Sequence, residues 1–340
     1  MDPLRIGLLG SGYMGRTYAE CMTKYNTRTR LVAVSGGSRA PGLAADYGIA
    51  YAPTYEELLA RPDLDAVLIA TPHSLHRPQV EQAAAAGKHV LVEKPMSTSV
   101  ADCTAMIEAC RTAGVYLEVI QTLRFRGVPA RAKQLIDAGR IGKVWMIRGQ
   151  SLRRDYVIDT ASWAAKPENG GAFLDMGVHN FDIMRFLTGS DVTHVFSHVT
   201  TYGTTPAPGM SAMTQLVFAN GVTAQQWTSF EFHAKHMTDS QHRYVIAGET
   251  GVLDLDGYGK LTLCTAAGEE LIWEQPAIDF VNRPMEPSRL EAFYTQIQSF
   301  VDDVLDGRPP TVSGEEGRAA VAVVEAAWQS SQTGQTVRLG

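Results

Sequence analysis

Continuous apolar runs that alternate with helical patterns most constrain how residues 1–122 can fold. Runs such as LRIGLLG, RLVAVSG, DAVLIATP and KHVLVEKP show no regular polar alternation, and a helical pattern follows each of them. Strands that are apolar on both faces must be covered on both faces, which is typical of a parallel sheet with crossover helices. The first part of the chain is therefore predicted to be α/β, with a doubly wound parallel sheet.

The pattern changes after residue 122. A helical segment, VPARAKQLIDAGRIG, leads into longer strands in which apolar and polar residues alternate, and Asn220-Gly221 lies between two of them as a hairpin signal. Two further helical patterns lie near 290–305 and 315–330. Because 340 residues exceed the size at which single cores stop growing, we predict two domains, 1–122 and 123–340. The second is predicted to be α+β with an antiparallel or mixed sheet.

Charge and composition argue against several classes of partner. The net charge is -6, whereas proteins that bind nucleic acids or anionic membranes usually carry a basic excess. The chain has no apolar run of membrane-spanning length, and its first residues, MDPLRIGLLGSG, enter a strand at once and leave no room for a signal peptide. The four cysteines lack metal-ligand spacing and fit a reducing compartment. We expect a cytoplasmic protein without a metal site.

A glycine-rich segment, GLLGSGYMGRTYAE, joins the first strand to the first helix. Gly10 allows a tight turn, Gly12 lets the backbone approach a pyrophosphate, and Gly15 allows close packing of helix on strand. The helix N-terminus then faces the anion. This arrangement predicts the dinucleotide-binding loop of a Rossmann domain. The predicted cofactor contacts in the loop are Gly10, Gly12, Tyr13, Met14 and Gly15.

The end of the second strand bears on which dinucleotide binds. An NAD site usually presents an acidic residue there, whereas this chain has Ser35, followed by Ser38 and Arg39. An arginine and two hydroxyl groups suit a 2′-phosphate, which a carboxylate would repel. The sequence therefore favours NADP over NAD. In the alternative interpretation Arg39 is a solvated residue at a helix start and both cofactors bind.

Two neighbouring strands end in polar residues, ATPHSLH and VEKP. In an open parallel sheet, ligands bind beyond the carboxyl ends of the strands. Pro95 disfavours helical backbone at Lys94 and keeps it extended. Glu93 and Lys94 are therefore predicted to end a buried strand because that strand ends in an active site.

The motifs GSGYMG, ATPHSLH, GKHVLVEKP and NGGAFLDMGVHNFDIMRFLTG, in this order, resemble the Gfo/Idh/MocA oxidoreductase family across essentially the whole chain. The resemblance implies a Rossmann domain followed by a domain with an open-faced, mostly antiparallel sheet. That sheet commonly mediates oligomerisation, so a homodimer or homotetramer is expected. The substrate class that the resemblance implies is a sugar, cyclitol or related polyol.

Asp175, His179 and Asp182 lie at i, i+4 and i+7 of the predicted downstream helix, on one face. Such a pair is more often a surface or packing pair, but the catalytic Asp and His of the family fall on Asp175 and His179. The resemblance implies that His179 is the general acid–base, that Lys94 binds the reacting oxygen, and that Asp175 holds a substrate hydroxyl. Either Lys94 or His179 carries the proton. Asp182 is expected to orient or support.

Further contacts follow by position. Thr71, Pro72 and His76 are predicted to line the nicotinamide side, although a structural role at a helix start suits His76 equally well. Trp163 lies where relatives often show a Trp-Arg pair that contacts the cofactor, but Ala164 replaces the arginine here.

Three residues are candidates for substrate recognition. Arg153 and Tyr156 belong to a polar cluster that is either a solvated surface or a substrate-facing segment. Arg124 is the better candidate to reach the cleft.

The leading hypothesis is an NAD(P)-dependent oxidoreductase that acts on a hydroxyl or keto carbon of a sugar, cyclitol or polyol. Two alternatives stay open. One is a glycosidase-like enzyme that keeps its dinucleotide and uses a transient oxidation. The other is a regulator that binds dinucleotide without turnover.

Overall fold

The computed structural model describes residues 2–154, 166–203, 208–232, 242–279 and 282–340. They form two compact units, of which unit 1 comprises Met1–Thr122 and Asp279–Arg318 and unit 2 comprises Leu123–Ile278 and Ala319–Gly340. Residues 279–318 lie in unit 1, although the predicted second domain, 123–340, includes them.

Unit 1 is built on a sheet whose described strands are all parallel, in the order β3-β2-β1-β4-β5-β6. The strands are β1 (Leu4–Leu9), β2 (Thr29–Ser35), β3 (Ala50–Tyr51), β4 (Ala66–Ile69), β5 (His89–Val92) and β6 (Leu117–Val119). The helices between them are α1 (Tyr13–Lys24), α2 (Ala40–Tyr47), α3 (Tyr55–Leu59), α4 (His76–Ala85) and α5 (Val100–Ala113). This strand order is that of a Rossmann domain and confirms the predicted fold class.

Local sequence signals set several helix ends in unit 1. The side chain of Thr54 accepts a hydrogen bond from the Glu57 backbone at 3.1 Å, and that of Ser99 accepts one from Asp102 at the same distance. These bonds satisfy N–H groups that a helix start leaves without partners. Gly114 ends α5 in the left-handed region. Thr54 and Ser99 thus cap the N-termini of α3 and α5.

Unit 2 contains a nine-stranded sheet among its described residues, in the order β14-β13-β12-β11-β7-β10-β9-β8-β15. Its elements and those that complete the chain are α6 (Gly127–Asp137), β7 (Val144–Arg154), α7 (Gly171–Thr188), β8 (Val192–Thr200), β9 (Ser211–Phe218), β10 (Thr223–Phe232), β11 (Arg243–Gly248), β12 (Gly251–Asp256), β13 (Lys260–Thr265), β14 (Gly268–Glu274), α8 (Pro287–Asp306), α9 (Gly314–Thr333) and β15 (Val337–Arg338). Within this sheet, β10 and β7 are the only described strands that pair in parallel, so the mostly antiparallel sheet is confirmed.

Helix α8 explains why residues 279–318 belong to unit 1. Its buried face, Leu290, Ile297, Phe300 and Val301, lies in the same apolar cluster as strand β1 and helix α1. An amphipathic helix is stabilised chiefly by the surface on which it packs. The sequence shows that α8 has an apolar face, but not which sheet that face covers.

The large sheet of unit 2 has one covered and one open face. Along β9, buried and exposed side chains alternate, as expected when only one face is packed. The predicted hairpin is confirmed, because β9 and β10 pair antiparallel on either side of Asn220-Gly221. Large apolar side chains remain exposed on several adjacent strands of this sheet: Met146, Phe196, Met213, Val217 and Val245. Across the described residues, no helix combines the length and apolarity needed to cross a membrane.

Glu118, on the edge strand β6, is a fully buried carboxyl group in unit 1. Burial, and then the neighbouring Asp303, raise its pKa to about 8. Asp303 itself accepts hydrogen bonds from the backbone and hydroxyl of Thr311, at 2.9 and 2.5 Å, and lies 3.3 Å from Arg308 Nε. Glu118 is therefore protonated in the folded protein at neutral pH.

Replacing Glu118 by Gln should change how stability depends on pH. The unfolded state releases this proton near pH 4.5 and the folded state only near 8, so the wild-type protein loses stability as the pH rises through this window. Glu118→Gln should remove that loss and raise the free energy of unfolding at pH 8 by about 1–3 kcal/mol. Urea unfolding of both proteins at pH 5 and pH 8 measures this. A mutant that loses as much stability as wild type between these values would contradict the assignment.

Candidate active site

The glycine loop after β1 packs so closely against neighbouring backbone that a side chain at Gly10 or Gly15 would overlap it. A Cβ on Gly10, whose φ is 117°, would lie 2.3 Å from the Ala70 carbonyl oxygen, and one on Gly15 would lie 2.1 Å from the Gly10 oxygen. At Gly12, the N-terminal cap of α1, the nearest atom to such a Cβ is Arg39 Nη2 at 3.7 Å. The loop thus packs against β4 on one side and leaves the Gly12 backbone open for a ligand.

The end of β2 carries the residues predicted to select the dinucleotide. Ser35 is buried, and its hydroxyl oxygen has no hydrogen-bond partner among the residues that the structure describes. Ser38 and Arg39 are exposed, and the guanidinium of Arg39 extends over Gly12. The exposed glycine backbone and the buried Ser35 hydroxyl, which has no hydrogen-bond partner among the described residues, fit an adenosine dinucleotide. The ribose of such a cofactor binds at this strand end.

Other predicted contacts around the loop have distinct environments. Tyr13 is largely exposed, and its ring lies 4.8 Å from the guanidinium carbon of Arg289. Met14 packs partly against the unit 1 core. Thr71, half-buried after β4, donates a hydrogen bond to Gln79 at 2.5 Å, and Pro72 is also half-buried.

His76 is fully buried, and both of its ring nitrogens lie within hydrogen-bonding distance of backbone carbonyl oxygens. Its Nε2 lies 3.0 Å from the Thr71 carbonyl oxygen, and its Nδ1 lies 3.0 Å from that of Pro95 and 3.3 Å from that of Met96. Burial lowers the pKa of the ring. The imidazole joins the loop after β4 to the loop after β5, so this geometry favours the structural one of its two predicted roles.

Lys94 follows β5, and buried polar contacts fix its backbone. The Glu93 carboxylate accepts a hydrogen bond from the Lys94 N–H at 2.9 Å and another from the Tyr18 hydroxyl. Burial, together with Glu93, raises the pKa of Tyr18 well above its usual value, so the phenol keeps its proton and donates. The Lys94 side chain is half-buried, and its peptide bond to Pro95 is cis.

These groups share one edge of the sheet. The glycine loop, Thr71 and Lys94 follow β1, β4 and β5, which are neighbours in the sheet order. Because all three strands are parallel, their carboxyl ends meet at the same edge, where ligands bind in this fold.

Helix α7 carries the two other predicted catalytic residues, in unit 2. Asp175 and His179 are half-buried on this helix. Asn180 fixes the adjacent turn, because it donates to Thr228 Oγ1 at 3.0 Å and accepts from the Tyr244 hydroxyl at 3.2 Å. Two polar side chains thus lie one turn apart on a helix whose remaining surface is mostly buried.

Arg124, which is predicted to contact the substrate, forms an ion pair within the protein. Its Nε and Nη2 atoms donate to the two carboxylate oxygens of Asp182 at 2.7 and 2.5 Å, and the side chains are only 9% and 1% exposed. Such a bidentate pair neutralises the arginine within the protein. Arg124 therefore anchors α7 through Asp182, and its contact with the substrate stays a prediction.

Several residues that sequence reasoning did not single out surround His179. The His242 ring lies 6.4 Å from that of His179 and 5.6 Å from that of Tyr258. The guanidinium carbon of Arg126 lies 4.5 Å from the Tyr258 ring centre. Arg126 follows Arg124 by two positions, and that basic pair was its only signal in the sequence.

Arg153 is a half-buried residue of β7, and its guanidinium lies 6.0 Å from the Phe230 ring centre. Tyr156 and Trp163 lie outside the described residues.

Comparison with known proteins identifies relatives over nearly the whole chain. Residues 4–121 match the model of an oxidoreductase family with an NAD-binding Rossmann fold, and residues 133–339 match that of its C-terminal alpha/beta domain. The scyllo-inositol 2-dehydrogenase (NAD(+)) of Bacillus subtilis is 28% identical, over 99% of this chain and 96% of its own. The D-xylose 1-dehydrogenase [NADP(+)] of Haloarcula marismortui is 26% identical, over 99% and 94%. The crystal structure of aldose-aldose oxidoreductase from Caulobacter crescentus, complexed with glycerol, superposes with a TM-score of 0.86 at 28% identity, over 99% of this chain and 100% of the other.

Proposed function

Since the chain belongs to the Gfo/Idh/MocA oxidoreductase family, we propose that it is an NAD(P)-dependent dehydrogenase or keto-sugar reductase. The reaction moves a hydride to or from a hydroxyl or keto carbon of a sugar, cyclitol or related polyol. Relatives named for inositol and xylose support this substrate class.

The environment of Lys94 carries the proposal. Glu93 and His76, both buried, hold the backbone on either side of this lysine at the edge of the sheet that also bears the glycine loop. Fixing the backbone of Lys94 limits where its ammonium group can lie, so stabilising a developing oxyanion would need less reorganisation.

Each of the three polar residues has a role in this proposal. The dinucleotide, when bound, supplies the hydride acceptor or donor. His179 accepts the hydroxyl proton during oxidation and returns it during reduction, a role that suits an imidazole. The ammonium of Lys94 donates a hydrogen bond to the reacting oxygen and stabilises negative charge on it. Asp175 accepts a hydrogen bond from a substrate hydroxyl.

Replacing Lys94 by Ala should abolish turnover without loss of cofactor binding. We expect the rate to fall by about 10²-fold or more, because the oxyanion loses its charged donor, while the Kd for NADPH stays within about three-fold. Lys88, at the amino end of β5, donates to the Leu64 carbonyl oxygen, and Lys88→Ala is the matched control. A polyol screen with either dinucleotide, followed by nicotinamide absorbance, measures the rate. Near-normal turnover by Lys94→Ala would refute the catalytic role.

We also propose that the enzyme prefers NADP. Ser35, Ser38 and Arg39 stand where an NAD site usually presents a carboxylate, and Arg39 extends over the glycine loop. The relatives named above include one NAD(+) enzyme and one NADP(+) enzyme, so the preference rests on these side chains.

Replacing Arg39 by Asp should reverse this preference. The change removes a charged donor and adds repulsion, so the Kd for NADPH should rise about 10- to 100-fold while that for NADH changes less than about three-fold. Titrations that follow nicotinamide fluorescence give both constants. Arg30→Asp is the control, because Arg30 lies at the amino end of β2 whereas Arg39 follows its carboxyl end. Equal weakening of both nucleotides by Arg39→Asp would contradict a phosphate pocket.

We further propose that the open face of the unit 2 sheet forms the contact of a homodimer or homotetramer. The exposed apolar residues Met146, Phe196, Met213 and Val217 lie on strands β7, β8 and β9 of this sheet, and apolar side chains exposed together on a monomer would favour association.

A charge placed on this face should dissociate the oligomer. Phe196 is 44% exposed in the single chain, and Phe196→Glu would bury a carboxylate in the contact at a large desolvation cost. Tyr51 in unit 1 is an aromatic residue of equal exposure, 44%, so Tyr51→Glu is the matched control. Sedimentation velocity should show wild type and Tyr51→Glu as oligomers and Phe196→Glu as a monomer. A monomeric wild-type protein would exclude the proposed contact.

A further inference from the structure

Arg126 is a buried cation in unit 2. The residue is 4% exposed, and its buried Nε has no hydrogen-bond partner in the part of the chain that the structure describes. The guanidinium stacks on Tyr258, with its carbon 4.5 Å from the ring centre. No ion pair between Arg126 and a carboxylate occurs among the described residues. Because arginine stays protonated in proteins, the charge itself must be accommodated.

Other buried arginines in the protein accommodate their charge in the usual way. Arg124 pairs with Asp182, and Arg185 pairs with Asp191. Arg289, 2% exposed, donates at 2.6 Å to the carbonyl oxygen of Pro284. A buried charge without such partners costs far more than an exposed one. Arg126 differs from these arginines because its charge has no such partner among the described residues, and an anionic ligand could supply one.

The acidic residues close to Arg126 in the fold are engaged elsewhere. Asp256 Oδ1 accepts a hydrogen bond from the Tyr258 backbone at 3.0 Å, within the same turn. Asp254 forms a salt bridge with Arg243 on the neighbouring strand. Arg126 also occupies the N-terminal cap position of α6, where its side chain makes no capping bond and the helix dipole adds positive potential. Among the described residues, neither a capping bond nor an ion pair engages this guanidinium.

The stacked pair is continuous with the environment of His179. The Tyr258 ring lies 5.6 Å from that of His242, which lies 6.4 Å from that of His179. His242 is 2% exposed, and its Nδ1 is 3.4 Å from Ser151 Oγ. All these residues belong to unit 2. The rings of Tyr258 and His242 therefore form a chain of contacts within unit 2 that leads from Arg126 to the environment of His179.

We propose that Arg126 binds an anionic group of the substrate, so that the enzyme takes a sugar or polyol bearing a carboxylate or a phosphate. The planar guanidinium fork matches both groups bidentately. A neutral sugar leaves the cation unpaired, so it binds about 10- to 100-fold more weakly than its anionic counterpart. That the ligand is the substrate rests on the proposed function, whereas the anion site itself does not.

Ligand binding to the full-length protein tests the anion site. The protein is saturated with NADP⁺ to fill the phosphate-binding loop and held at constant ionic strength with NaCl. Two matched pairs separate the two sources of charge, D-gluconate against D-glucitol for the carboxylate and glucose 6-phosphate against glucose for the phosphate. Calorimetric titration and thermal unfolding should show binding or stabilisation by at least one anion, about ten-fold tighter than by its neutral counterpart. Equal responses within both pairs would overturn the proposal.

Arg126→Gln should abolish the preference for the anion and leave binding of the neutral compound unchanged, and Arg126→Lys should retain part of it. Arg131, on the same helix, stacks 4.4 Å from the Trp273 ring centre and donates to the Gly127 carbonyl oxygen, so Arg131→Gln is the matched control and should behave as wild type.

Without ligand, Arg126→Gln should unfold at the same temperature as wild type or a higher one, because a buried unpaired charge is removed. A lower unfolding temperature together with an unchanged anion response would show a purely structural stack and overturn the proposal.

The outcomes separate this inference from the proposed function. Anion binding that depends on Arg126, in a protein without dehydrogenase activity, would leave the site standing and remove the proposed reaction. Dehydrogenase activity in a protein whose response to both anions is the same with and without Arg126→Gln would leave the proposed reaction standing and remove the anion site.

Discussion

The close approach of backbone to backbone at the end of β1 is the constraint on which the nucleotide-binding edge depends. The Cα of Gly10 faces the Ala70 carbonyl, and that of Gly15 faces the Gly10 carbonyl, so tightly that a methyl group at either position would overlap an oxygen atom. Any other residue would push α1 away from β4. Since α1 carries Tyr18, which bonds Glu93 at the end of β5, this contact also determines where the neighbouring strand end lies.

The charged pair at the end of β5 follows from the same packing. A buried strand can end in Glu93 and Lys94 because the carboxylate is satisfied by two donors, the Tyr18 hydroxyl and the Lys94 backbone. His76 satisfies carbonyl groups of the loop that follows. Buried polar groups cost little when each has a partner, and in return they define one geometry. The backbone at Lys94 is thus fixed by polar contacts rather than by apolar packing.

Short sequence motifs predicted those features of the fold that depend on neighbouring residues in the chain. The glycine loop and the hairpin at Asn220-Gly221 each depend on a few consecutive residues, and each is confirmed. Features that depend on distant partners could not be read in this way. The apolar face of α8 was visible, but its packing on the unit 1 core was not. The ion pair of Arg124 could not be identified either, because its partner Asp182 lies 58 positions away.

Arg124 and Arg126 show why residue type and position alone do not identify a binding residue. They are two positions apart and equally basic in the sequence, yet only Arg124 has a carboxylate partner among the described residues. Arg124 therefore contributes to the stability of α7, and removing its partner would leave an unpaired charge in the interior. Arg126 is stacked on Tyr258 with its charge not neutralised. Proteins retain such costly groups where function requires them, so the unpaired arginine marks a site more reliably than the paired one.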